Sequence, residues 1–130
     1  MQMTGTTSRT SQSGFAIAKT VLLWILQLGT AAVFIMAAIP KLTGDPQMIA
    51  VYHTIGIGQW FRYLTASFEI IGSAALLVPR TAVYGAILLA CVAAGATIAH
   101  ITVLGGSPAL PVALLIAELI IIWGRKEQLL

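Results

Sequence analysis

TVLLWILQLGTAAVFIMAAI, residues 20–39, carries no charged side chain over its 20 positions. At a helical rise of about 1.5 Å per residue it measures about 30 Å, the thickness of a bilayer's hydrocarbon core. A secretory leader has a shorter apolar stretch, about 7–15 residues, ending in a small-x-small cleavage site. This run ends instead in Ile39-Pro40-Lys41, so it reads as a first transmembrane span.

The composition of the whole chain agrees. Of 130 residues, 58% are hydrophobic and 8% charged, against about 25% charged in an average soluble domain. The mean hydropathy is +0.95, and such a chain cannot cover itself with a soluble surface. Three further apolar runs, residues 63–78, 82–104 and 110–123, predict an all-α, polytopic membrane protein: a bundle of four transmembrane helices. The five prolines fall at or beyond the ends of these runs, where a missing N–H costs least. Between the first two spans, Asp45-Pro46 has the form of a helix start and Gly56-Ile57-Gly58 that of a stop. A short interfacial helix is expected at residues 46–54.

The domain plan is then a Ser/Thr/Gly-rich tail over residues 1–18, expected to be disordered, a membrane domain at 19–126 and a short tail at 127–130. Orientation follows from the basic residues. Arg9, Lys19, Arg80, Arg125 and Lys126 fall on one side of a four-span arrangement, Lys41 and Arg62 on the other. The positive-inside rule puts both termini in the cytoplasm, and the expected location is the cell inner (plasma) membrane. The net charge of +3 is scattered along the chain, with no basic patch for nucleic acid. One cysteine, Cys91, excludes an intramolecular disulfide or a cysteine-clustered metal site. It reads as a small packing residue. The lipid bilayer is the expected partner, and no metal is.

Polar residues are costly in a span and normally face protein or water. With helix rise as a ruler, Glu69, His100 and Lys41 lie in the outer half of the bundle. Thr65, Glu69 and Ser73 repeat at four-residue spacing on the second span. Thr97 and His100 pair on the third, and Gln27, Phe34 and Lys41 repeat every seventh position on the first. These stripes converge on a polar cavity opening outward, with Lys41 or His100 reaching the Glu69 carboxylate. The same pairing is also what a purely structural ion pair would give. In the inner half, Gln27 and Glu118 are expected to meet in a second polar contact. The third span carries Ala82, Gly85, Ala86, Ala90, Ala94 and Gly95, a small-residue face that makes it the expected packing hub. His53 reads as a surface residue.

No P-loop, Rossmann glycine fingerprint, HExxH or GxSxG occurs. The chemistry, if any, is not that of a stand-alone soluble-type enzyme. The stretches Phe34-Ile35-Met36-Ala37-Ala38-Ile39-Pro40-Lys41-Leu42, Glu69-Ile70-Ile71-Gly72, Leu76-Leu77-Val78-Pro79-Arg80, Gly85-Ala86 and Gly95-Ala96 ahead of His100 together resemble the DoxX-like membrane proteins. The resemblance covers about residues 20–125. It implies four spans and polar positions at Lys41, Glu69 and His100. It also implies a link to sulfur and quinone oxidation, as the small membrane subunit of a thiosulfate:quinone oxidoreductase or as a partner in thiol-oxidant defence. The chain departs from thiol-active relatives by lacking a cysteine pair. The expectation is a small redox-associated membrane component binding a quinone head group or small acid at an outward site. It would work with a partner redox subunit or as a homo-oligomer, at most as part of an oxidoreductase complex. A proton-coupled small-solute carrier and a structural partner subunit are the alternatives.

Overall fold

The computed structural model describes the backbone of residues 2–129 and the side chains of residues 13–129. Met1 and Leu130, in the two expected tails, lie outside the described residues, as does the side chain of Arg9. All described elements are helical: α1 (Gln2–Thr43), α2 (Pro46–Ile55), α3 (Trp60–Leu77), α4 (Ala82–Ala99) and α5 (Ala109–Gly124), with short turns between them. The short helix expected at 46–54 is α2. Asp45 caps it by accepting from the Gln47 N–H at 2.9 Å, Pro46 opens it, and the Gly56 N–H closes it onto the Tyr52 carbonyl at 3.2 Å.

Three boundaries differ from expectation. Residues 2–18 are helical and continuous with the first span rather than a disordered tail. A helix nucleated by a long apolar run extends at the low cost of propagation. Pro40 lies inside α1, not at its end. Near a C-terminus, its missing N–H removes a single bond, and Gly44 (φ 74°) lets the chain turn so that the Asp45 N–H donates to the Pro40 carbonyl at 3.0 Å. The third of the four apolar runs stops being α-helical at Ala99, and His100–Leu104 form a π-helical segment. At the other end of the chain, residues expected as a free tail form a 3₁₀ turn, Lys126–Leu129. Gln128 docks there: its Oε1 accepts from the Val83 N–H at 3.0 Å, and its Nε2 donates to the Pro79 carbonyl. The N-terminal amides of α4 lack partners within their own helix, and this docking supplies one.

The four long helices close a ring in which α1 packs on α3, α3 on α4, α4 on α5 and α5 on α1. Each has two such neighbours, so α4 is not a hub. Its small face is used in part. Ala82, Gly85, Ala86 and Ala90 are buried, whereas Ala94 is half-buried and Gly95 exposed. At the crossing with α3, a Cβ on Gly85 would lie 2.6 Å from the Gly72 carbonyl oxygen and the Leu76 nitrogen. Backbone meets backbone there. The apolar centre is Ala31, Phe34, Leu76, Ala86, Leu89, Ala93 and Ile121.

The distribution of polarity is inverted relative to a soluble bundle. Gln27, Thr30, Arg62, Glu69, Ser73 and Glu118 are buried, while Phe15, Ile25, Met36, Ile71, Ile98 and Ile116 are among many large apolar residues on the outside. Two helices, Ser13–Thr43 and Pro79–Leu104, are long and apolar enough to cross a membrane. Ala109–Gly124 is a shorter apolar helix, and α3 carries Arg62 and Glu69 within 18 residues.

Candidate functional site

The end of α1 is held by α3. The Arg62 side chain, 5% exposed, donates to the Lys41 carbonyl through Nη1 and to Gln59 Oε1 through Nε at 3.0 Å. Its Nη2 donates to the Tyr63 hydroxyl at 3.2 Å. A guanidinium on the last carbonyls of a helix satisfies acceptors that have no partner within it. With its backbone so fixed, Lys41 turns its Nζ inward and donates to Glu69 Oε1 at 2.6 Å. The two side chains are 13% and 2% exposed.

This ion pair forms part of the wall of a cavity of about 620 Å³. Both α3 and α4 line it on the stretch that runs from their backbone contact at Gly72 and Gly85 toward Lys41. Thr65 and Phe68 stand on α3, and Leu88, Cys91, Val92 and Gly95 on α4. Phe34 and Ala37 of α1 and Pro111 and Leu114 of α5 line it too, as do Ala96 and Ile98 of α4 and the rings of Tyr52 of α2 and Phe61 of α3, whose centroids are 6.0 Å apart. Phe68, Cys91 and Ile98 in this lining are exposed, so the cavity reaches the outer surface of the bundle.

The expected polar cavity is thus mainly apolar, with one ion pair and the hydroxyls of Thr65 and Thr102, which donate to the Phe61 and Ile98 carbonyls at 2.9 and 2.7 Å. Thr97 and His100 do not line it. Thr97 donates to the Ala93 carbonyl at 2.8 Å, and His100 Nδ1 lies 2.8 Å from the Ala96 carbonyl oxygen. Both rings of contact are within their own helix. Ser73 is fully buried one turn from Glu69 and outside the cavity lining. Cys91, expected among packing alanines, is exposed at the cavity wall, since α4 turns that face away from its neighbours. Arg62 carried no functional reading in the sequence, yet it positions Lys41. Its only signal was a cation close to a helix end.

The DoxX-like family model matches residues 25–123. The chain belongs to the DoxX-like family. Neither a curated protein nor a solved structure matches it significantly. The matched segment of this DoxX-like chain includes Lys41, Glu69 and the whole cavity lining. Of the three polar positions implied by the resemblance, Lys41 and Glu69 meet and His100 stands apart.

The Arg125 end of the DoxX-like bundle holds a second polar group, differently wired from the expected Gln27–Glu118 contact. Gln27 Nε2 donates to the Leu76 carbonyl at 2.9 Å, and Gln27 Oε1 accepts from Arg125 Nε at 3.0 Å. One of its two N–H groups goes to the end of α3 and its oxygen accepts from Arg125, and no hydrogen bond joins it to Glu118. Glu118 is completely buried beside Thr30. Among the described residues, neither of its carboxyl oxygens has a hydrogen-bond partner, nor does Ser73 Oγ. The described residues hold no cluster of His, Cys, Asp and Glu suited to a metal ion.

Proposed function

We propose that this DoxX-like chain is a four-span membrane protein that binds a quinone-type head group in the α3–α4 cavity. It would serve as a small redox-associated component of the cell inner membrane, beside a partner redox subunit. In this reading α1, α3, α4 and α5 cross the bilayer, α2 lies at the outer interface and both termini are cytoplasmic. Support for the spans comes from the inverted polarity, because a soluble monomer rarely exposes contiguous apolar area beyond a few hundred Å². Bilayer lipid is the solvent that accepts such a surface.

The observation that carries the ligand reading is the Lys41–Glu69 pair set in an apolar cavity of about 620 Å³. That volume lies within the range of about 300–1,000 Å³ of small-molecule sites, which are apolar with a few placed polar groups. A quinone matches this chemistry: a flat apolar ring and tail, with carbonyl oxygens able to accept from the Lys41 ammonium. Exposed Phe68, Cys91 and Ile98 mark a route by which a lipid-soluble molecule enters from the side.

Titration calorimetry of the chain in lipid nanodiscs with a short-tailed ubiquinone analogue tests the reading. Saturable binding is expected. Ala96→Phe, which fills the cavity wall, should weaken it by about tenfold or more, a loss of about 1.4 kcal/mol. No saturable binding by the wild type, or equal binding by Ala96→Phe, rejects the site.

A further inference from the structure

Hydrogen-bonding capacity in the α3–α4 cavity is spent unevenly. The Thr65 and Thr102 hydroxyls give their hydrogens to the Phe61 and Ile98 carbonyls, so toward a ligand they offer only lone pairs. The Lys41 ammonium has three N–H donors, and among the described residues Nζ uses one, on Glu69 Oε1 at 2.6 Å. Glu69 Oε2 accepts nothing among those residues. Unlike the two Glu118 oxygens, it is not sealed off, and Glu69 lines the cavity. The 2% of this side chain that stays exposed therefore belongs to the cavity wall.

A cationic donor and an anionic acceptor, both with capacity to spare, thus stand side by side, because Oε1 and Oε2 share one carboxyl carbon. The Tyr52 hydroxyl and the Cys91 thiol, also in the lining, are neutral and not bonded to the pair. The pair is neutral as a whole, so an anionic ligand would bring an uncompensated charge into an apolar cavity. A neutral head group that docks on Lys41 and excludes water must also meet Oε2. A quinone carbonyl accepts from Nζ but has no hydrogen for Oε2, and a charged acceptor left dry costs more than a neutral one. A hydroquinone hydroxyl does both: its oxygen accepts from Nζ and its hydrogen is donated to Oε2.

We propose that the cavity selects the reduced, hydroquinone form of its ligand, with Glu69 Oε2 accepting from the ligand hydroxyl and Lys41 Nζ donating to the same hydroxyl oxygen. The inference rests on the quinone reading above and deepens it from a class of head group to one oxidation state. The ligand binds intact, and no bond to hydrogen breaks. Glu69 is the specificity-determining acceptor, whereas Lys41 serves both forms alike. A tenfold preference for the reduced form raises the two-electron potential of the bound couple by about 30 mV.

Oxygen-free titration calorimetry of the chain in lipid nanodiscs tests this with three ligands of one ring and tail: the short-tailed ubiquinone analogue, its hydroquinone and the hydroquinone dimethyl ether. Titrations into empty nanodiscs correct for partition into lipid. The hydroquinone should bind at least about tenfold more tightly than the quinone, the effect of one hydrogen bond to a charged group. The ether keeps the oxygens but has no hydrogen to give, and should bind no better than the quinone. Lys41→Met combined with Glu69→Leu leaves no unpaired charge and should remove the preference. Equal or tighter binding of the quinone by wild type, an ether as tight as the hydroquinone, or a preference that survives in the folded double variant overturns the selection while the cavity stands as a quinone site. If the double variant does not fold, the ether decides. Absence of saturable binding by all three ligands overturns the quinone reading and this inference with it.

Discussion

Lys41 Nζ and Glu69 Oε1 lie 2.6 Å apart, one on the last turn of α1 and the other midway along α3, with 13% and 2% of their side chains exposed. Burial makes the pair interdependent, because removing one partner leaves the other charged group uncompensated. Glu69→Gln should lower stability by about 3–5 kcal/mol, the usual cost of breaking a buried pair. Adding Lys41→Met should return much of the loss, since no unpaired charge then remains. Denaturant or thermal unfolding of both variants in one detergent reads this out. Losses that simply add would show that the two side chains act independently.

Gly72 and Gly85 let α3 and α4 touch, and they are not equivalent. A Cβ at Gly85 would meet backbone atoms of α3 at 2.6 Å, whereas one at Gly72 would meet the Leu89 side chain at 2.8 Å. Backbone cannot step aside as a side chain can. Gly85→Ala should therefore cost about 1–3 kcal/mol, in the range for overpacking, and Gly72→Ala less. Gly95→Ala, with nothing within 4 Å of its Cβ, should cost nothing. Equal melting temperatures for all three variants would mean that the helices do not cross at Gly85.

Arg62 reaches three acceptors, and the Lys41 carbonyl is the one that joins α3 to α1. Arg62→Leu leaves that carbonyl and Gln59 without their donor. About 1.5–3 kcal/mol of stability should go, as for hydrogen bonds to a charged group. Arg62→Lys keeps the charge but not the fork, so it should recover only part. Unfolding of the two variants compared with wild type checks this. Full recovery by lysine would reduce the role of Arg62 to charge alone.

Much of this architecture was legible because it is local. Asp45-Pro46 and Gly56 announce α2, and the seven-residue repeat of Gln27, Phe34 and Lys41 marks the buried stripe of α1. Depth along a helix is also readable, and it brought Lys41 to the level of Glu69. Direction around a helix is harder. His100 has the right depth, but it opens a π-helical segment and its ring bonds within that helix, where the wider turn shifts the α-helical register. Cys91 was misplaced for the same reason, since an alanine-rich helix of nearly uniform hydropathy does not mark which face it buries. Arg62 and Gln27 depended on partners distant in sequence, 21 residues away for Arg62 and 49 and 98 for Gln27. No local pattern contains those.

The last expectation concerns orientation. On the end of the bundle assigned to the outside, the two basic residues are both engaged internally, Lys41 with Glu69 and Arg62 with the Lys41 carbonyl. At the opposite end, Lys19 and Lys126 lie 5.5 and 5.7 Å from the Trp123 ring centroid, and Arg125 lies 5.7 Å from that of Trp24. Cations over aromatic rings at one level form a belt of the kind found at membrane interfaces. Lys19 and Arg125 are engaged there too, with Glu127 and Gln27, so the expectation rests on the five-to-two distribution of basic residues together with this belt. Reporter fusions at Arg9, Gly58, Pro79, Gly106 and Gln128 should read inside, outside, inside, outside, inside. A fusion at Arg9 or Gln128 that reports outside would reject both the orientation and the four-span arrangement on which it depends.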